Sequence, residues 1–397
     1  MTRPYAVVAI TKHGAAIARR LHERLPDIDV YYPERFAVEG DSGDSATGVH
    51  AFSGSVVDHL PALFSAYAGL VGIFSLGAMV RLIAPLLRDK RTDPAIVVVD
   101  DRAQHAISVL SGHIGGANEL TLRVAAALGA EAVITTASDV AQTIAVDLLG
   151  RAFGWEIENP ENITAVSAAV VNEERILVIQ ESGERDWWPS ERPLPPHISV
   201  ADFPPTEMAK TDRTQSGGER VGGAQTGAAG PDAFLVITHR LLAAHERARL
   251  LTRGVLYRPK VIVLGVGCNS GTSSAEIAAV ISETLASAGL AINSVRNVAT
   301  IDRKANEPGL VDVCRQSGWP LVSYTAAELS TVAIPNPSET VFRYVGAYGV
   351  SEPAALLSSG AQDWEVQKVK SGNVTVSVCI APNGPKRNGP KEEEASS

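Results

Sequence analysis

A glycine-rich segment between a strand-like run and a helix-like run constrains this chain most. Residues 110–120 read LSGHIGGANEL; they follow the apolar run 106–110 and lead into a helical run over 119–128. Glycine reaches positive φ angles and lets a ligand approach the backbone, and a strand-to-helix junction presents free N–H groups that attract anions. The spacing matches neither the dinucleotide loop nor the Walker loop. We interpret the segment as a ligand-binding loop; the alternative is a turn that only packs helix against strand.

The amino-terminal part of the chain alternates short apolar runs with helical runs, which is typical of an α/β domain. The apolar runs cover residues 5–10, 70–74, 95–99, 106–110 and 132–136, and residues 100–104 predict a hairpin turn. Ligands of an open α/β sheet bind at the carboxyl ends of its strands. We therefore expect one crevice to be lined by four loops, residues 11–14, 75–77, 111–118 and 135–139, with Asp139 capping a helix that runs to residue 149.

A second glycine-rich junction begins near Lys260. The strand-like run 261–264 leads through GVGCNSGT into a helical run over 273–287, a pattern that again suits an anion. A close helix–strand contact is the alternative reading. Cys268 lies in this loop, but no histidine is placed beside it by the pattern, so a structural thiol is favoured over a nucleophile. The charged stretch 302–308 follows the next strand and predicts the edge of a site.

The chain is expected to be α/β and to form three domains. These are an α/β domain over residues 1–149, a smaller α+β middle domain over 150–258, and an α/β domain over 259–383. Residues 211–231 contain almost no large apolar side chains, which predicts a flexible insertion in the middle domain. Residues 384–397 are rich in Pro, Gly and charge, which predicts a disordered tail.

Charge and cysteine usage restrict the partners. The net charge of −9 over 397 residues argues against broad binding of nucleic acid or acidic membranes. Three widely spaced cysteines make neither a disulfide framework nor a zinc pattern. The sequence has no signal peptide and no apolar run of spanning length, so the cytoplasm is the expected location.

Several motifs together resemble one family, the cobalt-precorrin-5A hydrolases of anaerobic cobalamin biosynthesis (CbiG). They are VRLIAPLLRDKRTDPAIVVVD, LSGHIGGANELT and AVITTASD in the amino-terminal part, and GVGCNSGTS, IDRKANEPGL, IPNPSE and KSGNVTV in the carboxyl part. Their occurrence in this order covers nearly the whole chain. The sequence departs from the family at Asn269, where Arg or Lys usually follows GxGC, and in its long glycine-rich insertion. The lost cation puts a contact with a substrate carboxylate in doubt.

The resemblance implies hydrolysis of the δ-lactone of cobalt-precorrin-5A, with release of acetaldehyde and formation of cobalt-precorrin-5B. Cobalt enters with the tetrapyrrole substrate, so the protein needs no cofactor or metal of its own, although His113 is a candidate axial ligand. Without a Ser-His-Asp signature or a G-x-S-x-G elbow, direct attack by water is favoured over an acyl-enzyme.

The main alternative is a non-catalytic carrier that delivers tetrapyrrole intermediates to a methyltransferase. A nucleotide-binding enzyme fits less well, because the loops lack the expected Lys and acidic residue. Transient contact with precorrin methyltransferases and a homodimer are further expectations.

His113 is the predicted general base, since an imidazole accepts a proton from water at neutral pH. Ser111 and the amides of the following glycines are the predicted oxyanion donors, and Glu119 or Asp139 orients the ring or replaces it as the base. The predicted substrate-binding residues are Gly77, Arg81, Gly112, Gly115, Gly116, Asn118, Thr136, Gly265, Gly267, Asn269, Gly271, Thr272, Lys304 and Glu307.

Overall fold

The computed structural model describes residues 3–38, 48–89, 92–203 and 230–382. The chain forms two compact units, residues 1–148 and 149–397, which are described separately. The α/β class is confirmed, and the three sheets fall in the three predicted regions. Nearly all of the predicted insertion and the whole predicted tail lie outside the described residues. The three exact domain boundaries stay predictions.

The first unit is one sheet with helices on both faces, in the strand order β3-β2-β1-β4-β5-β6-β7. Its strands are β1 (Tyr5–Ala9), β2 (Ile28–Pro33), β3 (Val49–Phe52), β4 (Gly69–Ile73), β5 (Ala95–Val99), β6 (His105–Leu110) and β7 (Glu131–Val133). Its α-helices are α1 (Lys12–Arg24), α2 (Val56–Ala66), α3 (Leu76–Ile83), α4 (Ala117–Leu128) and α5 (Ala137–Val140). Side chains of α1 and α4 pack in one apolar cluster, and those of α2 and α3 pack in another.

Most of the predicted loop at residues 11–14 belongs to helix α1. This helix starts at Lys12, and Thr11 is its N-cap, with Oγ1 accepting a hydrogen bond from the Gly14 N–H at 2.9 Å. A Thr at this position satisfies one of the N–H groups that the first helical turn leaves open. The loop after β1 is therefore part of a helix start.

The predicted hairpin turn at residues 100–104 joins β5 to β6. It reverses the direction of the chain in the sheet, and the loops after β6 and β7 lie accordingly. The Asp100 carboxylate accepts hydrogen bonds from the backbone N–H groups of Arg102, Gln104 and His105, which lowers its pKa against the opposing effect of burial. Strands β1 to β5 run parallel, whereas β6 is antiparallel to β5 and β7 is parallel to β6. The carboxyl ends of β6 and β7 therefore lie at the sheet edge opposite those of β1, β4 and β5.

The prediction of one crevice lined by four loops is consequently wrong. The loops after β1 and β4 lie at one edge of the sheet, where Thr11 Oγ1 donates to Asp101 at the hairpin tip, 2.6 Å away. The loops after β6 and β7 lie at the other edge, where Ser111 contacts Asp93 just before β5. The sheet is not uniformly parallel, so the rule for parallel strands does not bring these loops together.

In the second unit, the middle sheet has the order β10-β9-β11-β12-β8. It contains β8 (Glu156–Ile157), β9 (Ile176–Gln180), β10 (Ile198–Asp202), β11 (Ala233–Ile237) and β12 (Gly254–Arg258), with helices α6 (Ile163–Val171) and α7 (Ala244–Leu250). Strands β9 to β12 are parallel, and β8 is antiparallel to β12. The fully buried Arg258 donates from Nε to Glu158 Oε2 at 2.6 Å and from Nη1 to the Thr238 carbonyl at 2.9 Å. A buried guanidinium needs such partners, so we assign it a structural role.

The carboxyl-terminal sheet of the second unit has the order β15-β14-β13-β17-β16. Its strands are β13 (Ile262–Cys268), β14 (Val295–Ile301), β15 (Leu321–Tyr324), β16 (Val366–Ser371) and β17 (Val374–Ile380). Its α-helices are α8 (Ser274–Ser287), α9 (Pro308–Ser317), α10 (Ala326–Leu329), α11 (Glu339–Val345) and α12 (Ser351–Ser359). Strand β13 is central, parallel to β14 and antiparallel to β17. Within the described ranges, no helix is long and apolar enough to cross a membrane.

Candidate functional site

The loop between β6 and α4 depends on its glycines. Ser111 has a φ of +58° and Gly116 a φ of +84°, so the backbone turns sharply at both ends of the loop. A Cβ added to Gly115 would lie 2.3 Å from the Ser111 Cβ and 2.8 Å from the Ser111 carbonyl oxygen. Only glycine fits at that distance. The glycines therefore permit the backbone path of the loop that carries His113.

His113 lies between two aspartates that come from different segments. Its Nδ1 is 3.2 Å from Asp147 Oδ1, and its Nε2 is 3.0 Å from Asp139 Oδ2. Nε2 is also 3.0 Å from Ser138 Oγ. The His113 side chain is 16% exposed, and both of its ring nitrogens have protein partners. We call His113, Ser138, Asp139, Asp147 and Asn118 the His113 cluster.

This environment raises the pKa of His113 above its ordinary value. The hydrogen bond that the ring donates to Asp147 is the largest cause, followed by burial, which opposes it, and then by the charge of Asp147 and the contacts with Asp139. Carboxylates beside an imidazole favour its charged form, whereas desolvation disfavours it. His113 accordingly keeps its proton to higher pH than a free imidazole and becomes a base only above that raised pKa.

Asn118, in the first turn of α4, holds Asp139 in position. Its Nδ2 donates to Asp139 Oδ2 at 2.7 Å and to Thr136 Oγ1 at 2.9 Å, while its Oδ1 accepts from Ser108 Oγ at 2.7 Å. A Cβ on Gly112 would lie 2.8 Å from the same Oδ1. Asn118 is buried and fully used by these contacts. It orients the carboxylate that faces His113, and its contact with substrate stays a prediction.

Three of the predicted catalytic groups are engaged elsewhere. The Ser111 hydroxyl donates to the Asp93 carbonyl at 3.0 Å, and the Gly116 N–H donates to the His113 carbonyl at 3.0 Å. Neither hydrogen is available to a developing oxyanion, which leaves the Gly115 amide as the predicted donor. Glu119 is exposed on α4 and acts electrostatically on Arg123, not on the imidazole. Of the two predicted carboxylates, the structure brings only Asp139 to His113.

Sequence reasoning missed Asp147 and Ser138. Residues 141–149 were expected to continue a helix capped by Asp139, but α5 ends at Val140 and the chain then turns, which carries Asp147 back to His113. Asp139 lies inside α5, and its carboxylate faces His113. No local pattern marks Asp147, since it lies in an apolar stretch. Ser138 lies beside Asp139 in the AVITTASD motif and carries no charge, so the sequence gives no local signal for it.

The predicted ligand contacts after β4 are separate from the His113 cluster. Gly77 lies in the first turn of α3, at the sheet edge opposite the loop after β6. Arg81 is exposed, and its Nη1 donates to the Gly77 carbonyl at 3.3 Å, so it folds back on its own helix. Arg81 stays a predicted cation for a substrate carboxylate, whereas Gly77 is an ordinary helical residue.

The loop after β13 has a protein carboxylate where an anionic ligand was predicted. Glu307 Oε1 accepts the Gly271 N–H at 2.7 Å, and its Oε2 accepts from Lys304 Nζ at 2.8 Å. Lys304 also donates to Ser270 Oγ at 2.8 Å. The Lys304 ammonium, followed by the Gly271 N–H, holds the pKa of Glu307 below its usual range. The anion-binding capacity of the loop is thus used internally, and the predicted substrate contacts of Lys304, Gly271 and Glu307 compete with this pairing.

Other residues of this loop are structural in this arrangement. Asn269 is exposed, and its Nδ2 donates to Asn373 Oδ1 at 2.8 Å, while Thr272 Oγ1 donates to the Asn269 carbonyl at 2.8 Å. A Cβ on Gly267 would lie 2.7 Å from Thr375 Oγ1. These contacts tie the loop to the turn between β16 and β17.

Gly265 and Cys268 serve packing. A Cβ on Gly265 would lie 1.8 Å from the Ser351 carbonyl oxygen of α12. Gly265 is thus where α12 meets β13, and its contact with substrate stays a prediction. Burial raises the pKa of the Cys268 thiol, outweighing the opposing charge of Lys304. A thiol with a raised pKa is a poor nucleophile, which supports the structural reading.

Comparison with known proteins decides the family. Three family models match in order: cobalamin synthesis G N-terminal over residues 58–139, cobalamin biosynthesis central region over 144–259, and cobalamin synthesis G C-terminus over 262–379. A Priestia megaterium protein named cobalt-precorrin-5A hydrolase is 53% identical over 378 residues, which cover 95% of each chain. The chain belongs to the CbiG family. The resemblance predicted from the motifs is thereby confirmed.

Two further relatives show how the similarity is distributed along this CbiG-family chain. The cobalt-precorrin-5A hydrolase of Salmonella typhimurium is 30% identical and covers 94% of this chain and 97% of its own length. Protein CobE of Sinorhizobium sp. is 38% identical over 121 residues, which are 30% of this chain and 79% of CobE. Similarity to the named hydrolases therefore runs through all three sheets, whereas CobE matches only a part of the chain.

Proposed function

We propose that this CbiG-family protein hydrolyses the δ-lactone of cobalt-precorrin-5A. The observation that carries the proposal is His113, whose Nδ1 faces Asp147 and whose Nε2 faces Asp139 and Ser138. The relatives that bear the hydrolase name match the chain over nearly its whole length, so the amino-terminal unit with this cluster is part of the similarity. An imidazole held on both sides is suited to moving a proton during acyl transfer.

In the proposed reaction, neutral His113 takes a proton from the attacking oxygen, and the resulting imidazolium gives it to the ring oxygen that leaves the lactone carbonyl. Asp147 fixes the ring and stabilises the charged form, as the carboxylate of a hydrolase triad does. The Gly115 amide donates to the carbonyl oxygen as negative charge develops there. Loss of acetaldehyde from the opened ring then gives cobalt-precorrin-5B.

Cobalt enters as part of the substrate in this proposal, and the protein supplies no metal of its own. Both nitrogens of His113 already have protein partners, so we do not assign this residue as an axial ligand. The macrocycle carries several carboxylates; Arg81 in the first unit and Lys304 in the second are two separate candidate cations for such a group. The pairing of Lys304 with Glu307 must open, or be bypassed, when a carboxylate binds there.

We further propose a cytoplasmic enzyme that exchanges its substrate and product with precorrin methyltransferases, and a homodimer. Crosslinking and light scattering of the purified protein test these two associations. Neither is needed for the hydrolysis itself.

The test of the proposed function is incubation of the purified protein with cobalt-precorrin-5A. We expect stoichiometric acetaldehyde, detected by coupling to an alcohol dehydrogenase, and a product mass that reflects addition of water and loss of C2H4O. A carrier would bind the tetrapyrrole and return it unchanged, so binding without acetaldehyde would support the carrier instead.

A further inference from the structure

The Ser138 hydroxyl faces His113 Nε2, the ring nitrogen that does not face Asp147. Ser138 Oγ lies 3.0 Å from His113 Nε2, and His113 Nδ1 lies 3.2 Å from Asp147 Oδ1. We propose that Ser138 is the nucleophile of this enzyme, with His113 as its base and Asp147 as the group that orients the base. The inference rests on the proposed lactone hydrolysis and names the atom from which His113 takes the proton.

The arrangement meets the geometric requirements of a nucleophile, a base and an orienting carboxylate in hydrogen-bond reach. Such a constellation is recognised by roles and distances and recurs in different chain orders on unrelated folds. Here the base lies in the loop before α4, the nucleophile in α5, and the carboxylate in the turn that follows α5. Residues 136–140 read TASDV, without the flanking glycines of a G-x-S-x-G elbow, so that pattern did not reveal Ser138.

Whether His113 can activate the Ser138 hydroxyl depends on the protonation of His113, and Asp139 acts differently in the two states. When His113 is protonated, its Nε2–H lies between Asp139 Oδ2 and Ser138 Oγ, both 3.0 Å away. When His113 is neutral with its proton on Nδ1, that proton is donated to Asp147, and the Nε2 lone pair can accept only from the Ser138 hydroxyl. Asp139 then stabilises the imidazolium formed by proton transfer. Each carboxylate therefore has a distinct role at a distinct nitrogen.

The serines nearby do not compete for this role. The Ser111 hydroxyl donates to the Asp93 carbonyl and the Ser108 hydroxyl donates to Asn118. Ser138 is 7% exposed, so its hydroxyl is shielded from bulk water and makes its side-chain contact with the base. A hydroxyl that the fold already holds beside an imidazole avoids the entropy cost of positioning a mobile water there.

The proposed reaction passes through an ester between Ser138 and the substrate. Ser138 Oγ attacks the lactone carbonyl carbon, and its proton passes to His113 Nε2. The tetrahedral intermediate collapses by breaking the bond to the ring oxygen, which takes the proton from His113 and leaves as a hydroxyl. This gives an ester between Ser138 and the substrate acyl group. Water then attacks that ester, loses its proton to His113, and releases the carboxylic acid as Ser138 regains its proton. The sum is lactone plus water giving the hydroxy acid.

The first test compares Ser138→Ala with Ser65→Ala, an exposed serine on α2 whose hydroxyl donates to the Pro61 carbonyl. We expect Ser138→Ala to lower acetaldehyde release by at least ~10³-fold, as loss of a triad nucleophile does, with an unchanged melting temperature. Ser65→Ala should match the wild type. Turnover of a folded Ser138→Ala within tenfold of the wild type overturns the proposal and leaves water as the nucleophile.

A second readout does not depend on the lactone substrate. Diisopropyl fluorophosphate should label wild-type protein at Ser138, located by peptide mass mapping, and should fail to label His113→Ala. Absence of the label from the wild type overturns the nucleophile whether or not the lactone is opened. Labelling of a wild type that releases no acetaldehyde supports the nucleophile and refutes the proposed function, so the two failures are distinguishable.

Discussion

Asp147 Oδ1 lies 3.2 Å from His113 Nδ1, whereas Asp139 Oδ2 and Ser138 Oγ each lie 3.0 Å from His113 Nε2. In the proposed mechanism the neutral ring carries its proton on Nδ1 and donates it to Asp147, so that Nε2 is the acceptor. The proposed activity depends on whether His113 is protonated.

The raised pKa of His113 predicts how turnover depends on pH. A base must be neutral, so turnover should rise as the pH increases through this pKa and level off above it. Asp147 is the largest cause of the shift, so Asp147→Asn should move the inflection to lower pH and reduce the plateau by about 10²–10⁴ through loss of the orienting group. The measurement is kcat against pH for both proteins. An inflection that does not move would separate Asp147 from the mechanism.

The same contacts predict how stability depends on pH. A group whose pKa is raised by folding stabilises the folded state below its unfolded pKa of ~6.5, and the contribution disappears as the pH rises through the folded value. Urea unfolding of wild type and His113→Gln should therefore differ more in mildly acidic than in mildly alkaline buffer. A difference that grows with pH would mean that His113 is buried neutral, contrary to its two carboxylate contacts.

Gly115→Ala should lower the free energy of unfolding by about 1–3 kcal/mol, the usual cost of overpacking. The added methyl would lie 2.3 Å from the Ser111 Cβ, and neither backbone segment can move aside cheaply. The matched control is Gly77→Ala in helix α3, where the nearest atom is a flexible Arg81 nitrogen at 3.5 Å. That change should raise stability by about 0.5–1 kcal/mol because it replaces a helical glycine. Equal effects of the two substitutions would contradict the close approach.

The loop after β13 offers a prediction about charge. Glu307→Gln removes the carboxylate that occupies Lys304 and the Gly271 amide, and Asn269→Arg adds a cation. Both make the loop more positive, so both should tighten substrate binding several-fold, more strongly at low salt, where exposed charges act over longer distances. Asp312→Asn, an equal change of charge at a residue of α9 whose carboxylate pairs with Arg315, is the control and should have little effect. Tetrapyrrole affinity that responds to none of these changes would place the loop outside the substrate site.

The sequence predicted the elements of the fold better than their directions. The apolar runs and glycine junctions placed β6, α4 and β13 correctly, because these signals are local. The hairpin at residues 100–104 was also predicted, yet its consequence, that β6 and β7 run against β1 to β5, concerns the whole sheet. Because of that reversal, loops expected in one crevice lie at opposite edges.

The candidate site was predicted only in part, because local patterns reveal some of its residues and the fold alone brings in the others. His113 and Asp139 lie in loops with recognisable patterns, and the structure brings them to 3.0 Å. Asp147 carries no such pattern, since only the turn after α5 returns it to the imidazole. The packing of Gly265 against α12 was not predicted, because a glycine that admits a helix and a glycine that admits a ligand look alike in sequence.

Acetaldehyde release from cobalt-precorrin-5A by wild type and His113→Ala tests the central claim most directly. We expect one acetaldehyde per substrate from the wild type, and a rate lower by about 10²–10⁴ in His113→Ala, the usual worth of a general base. Tetrapyrrole binding should stay within a few-fold, because His113 moves a proton and does not clamp the macrocycle. Acetaldehyde release at the wild-type rate by a folded His113→Ala, or none from a wild type that binds the substrate, would contradict the account.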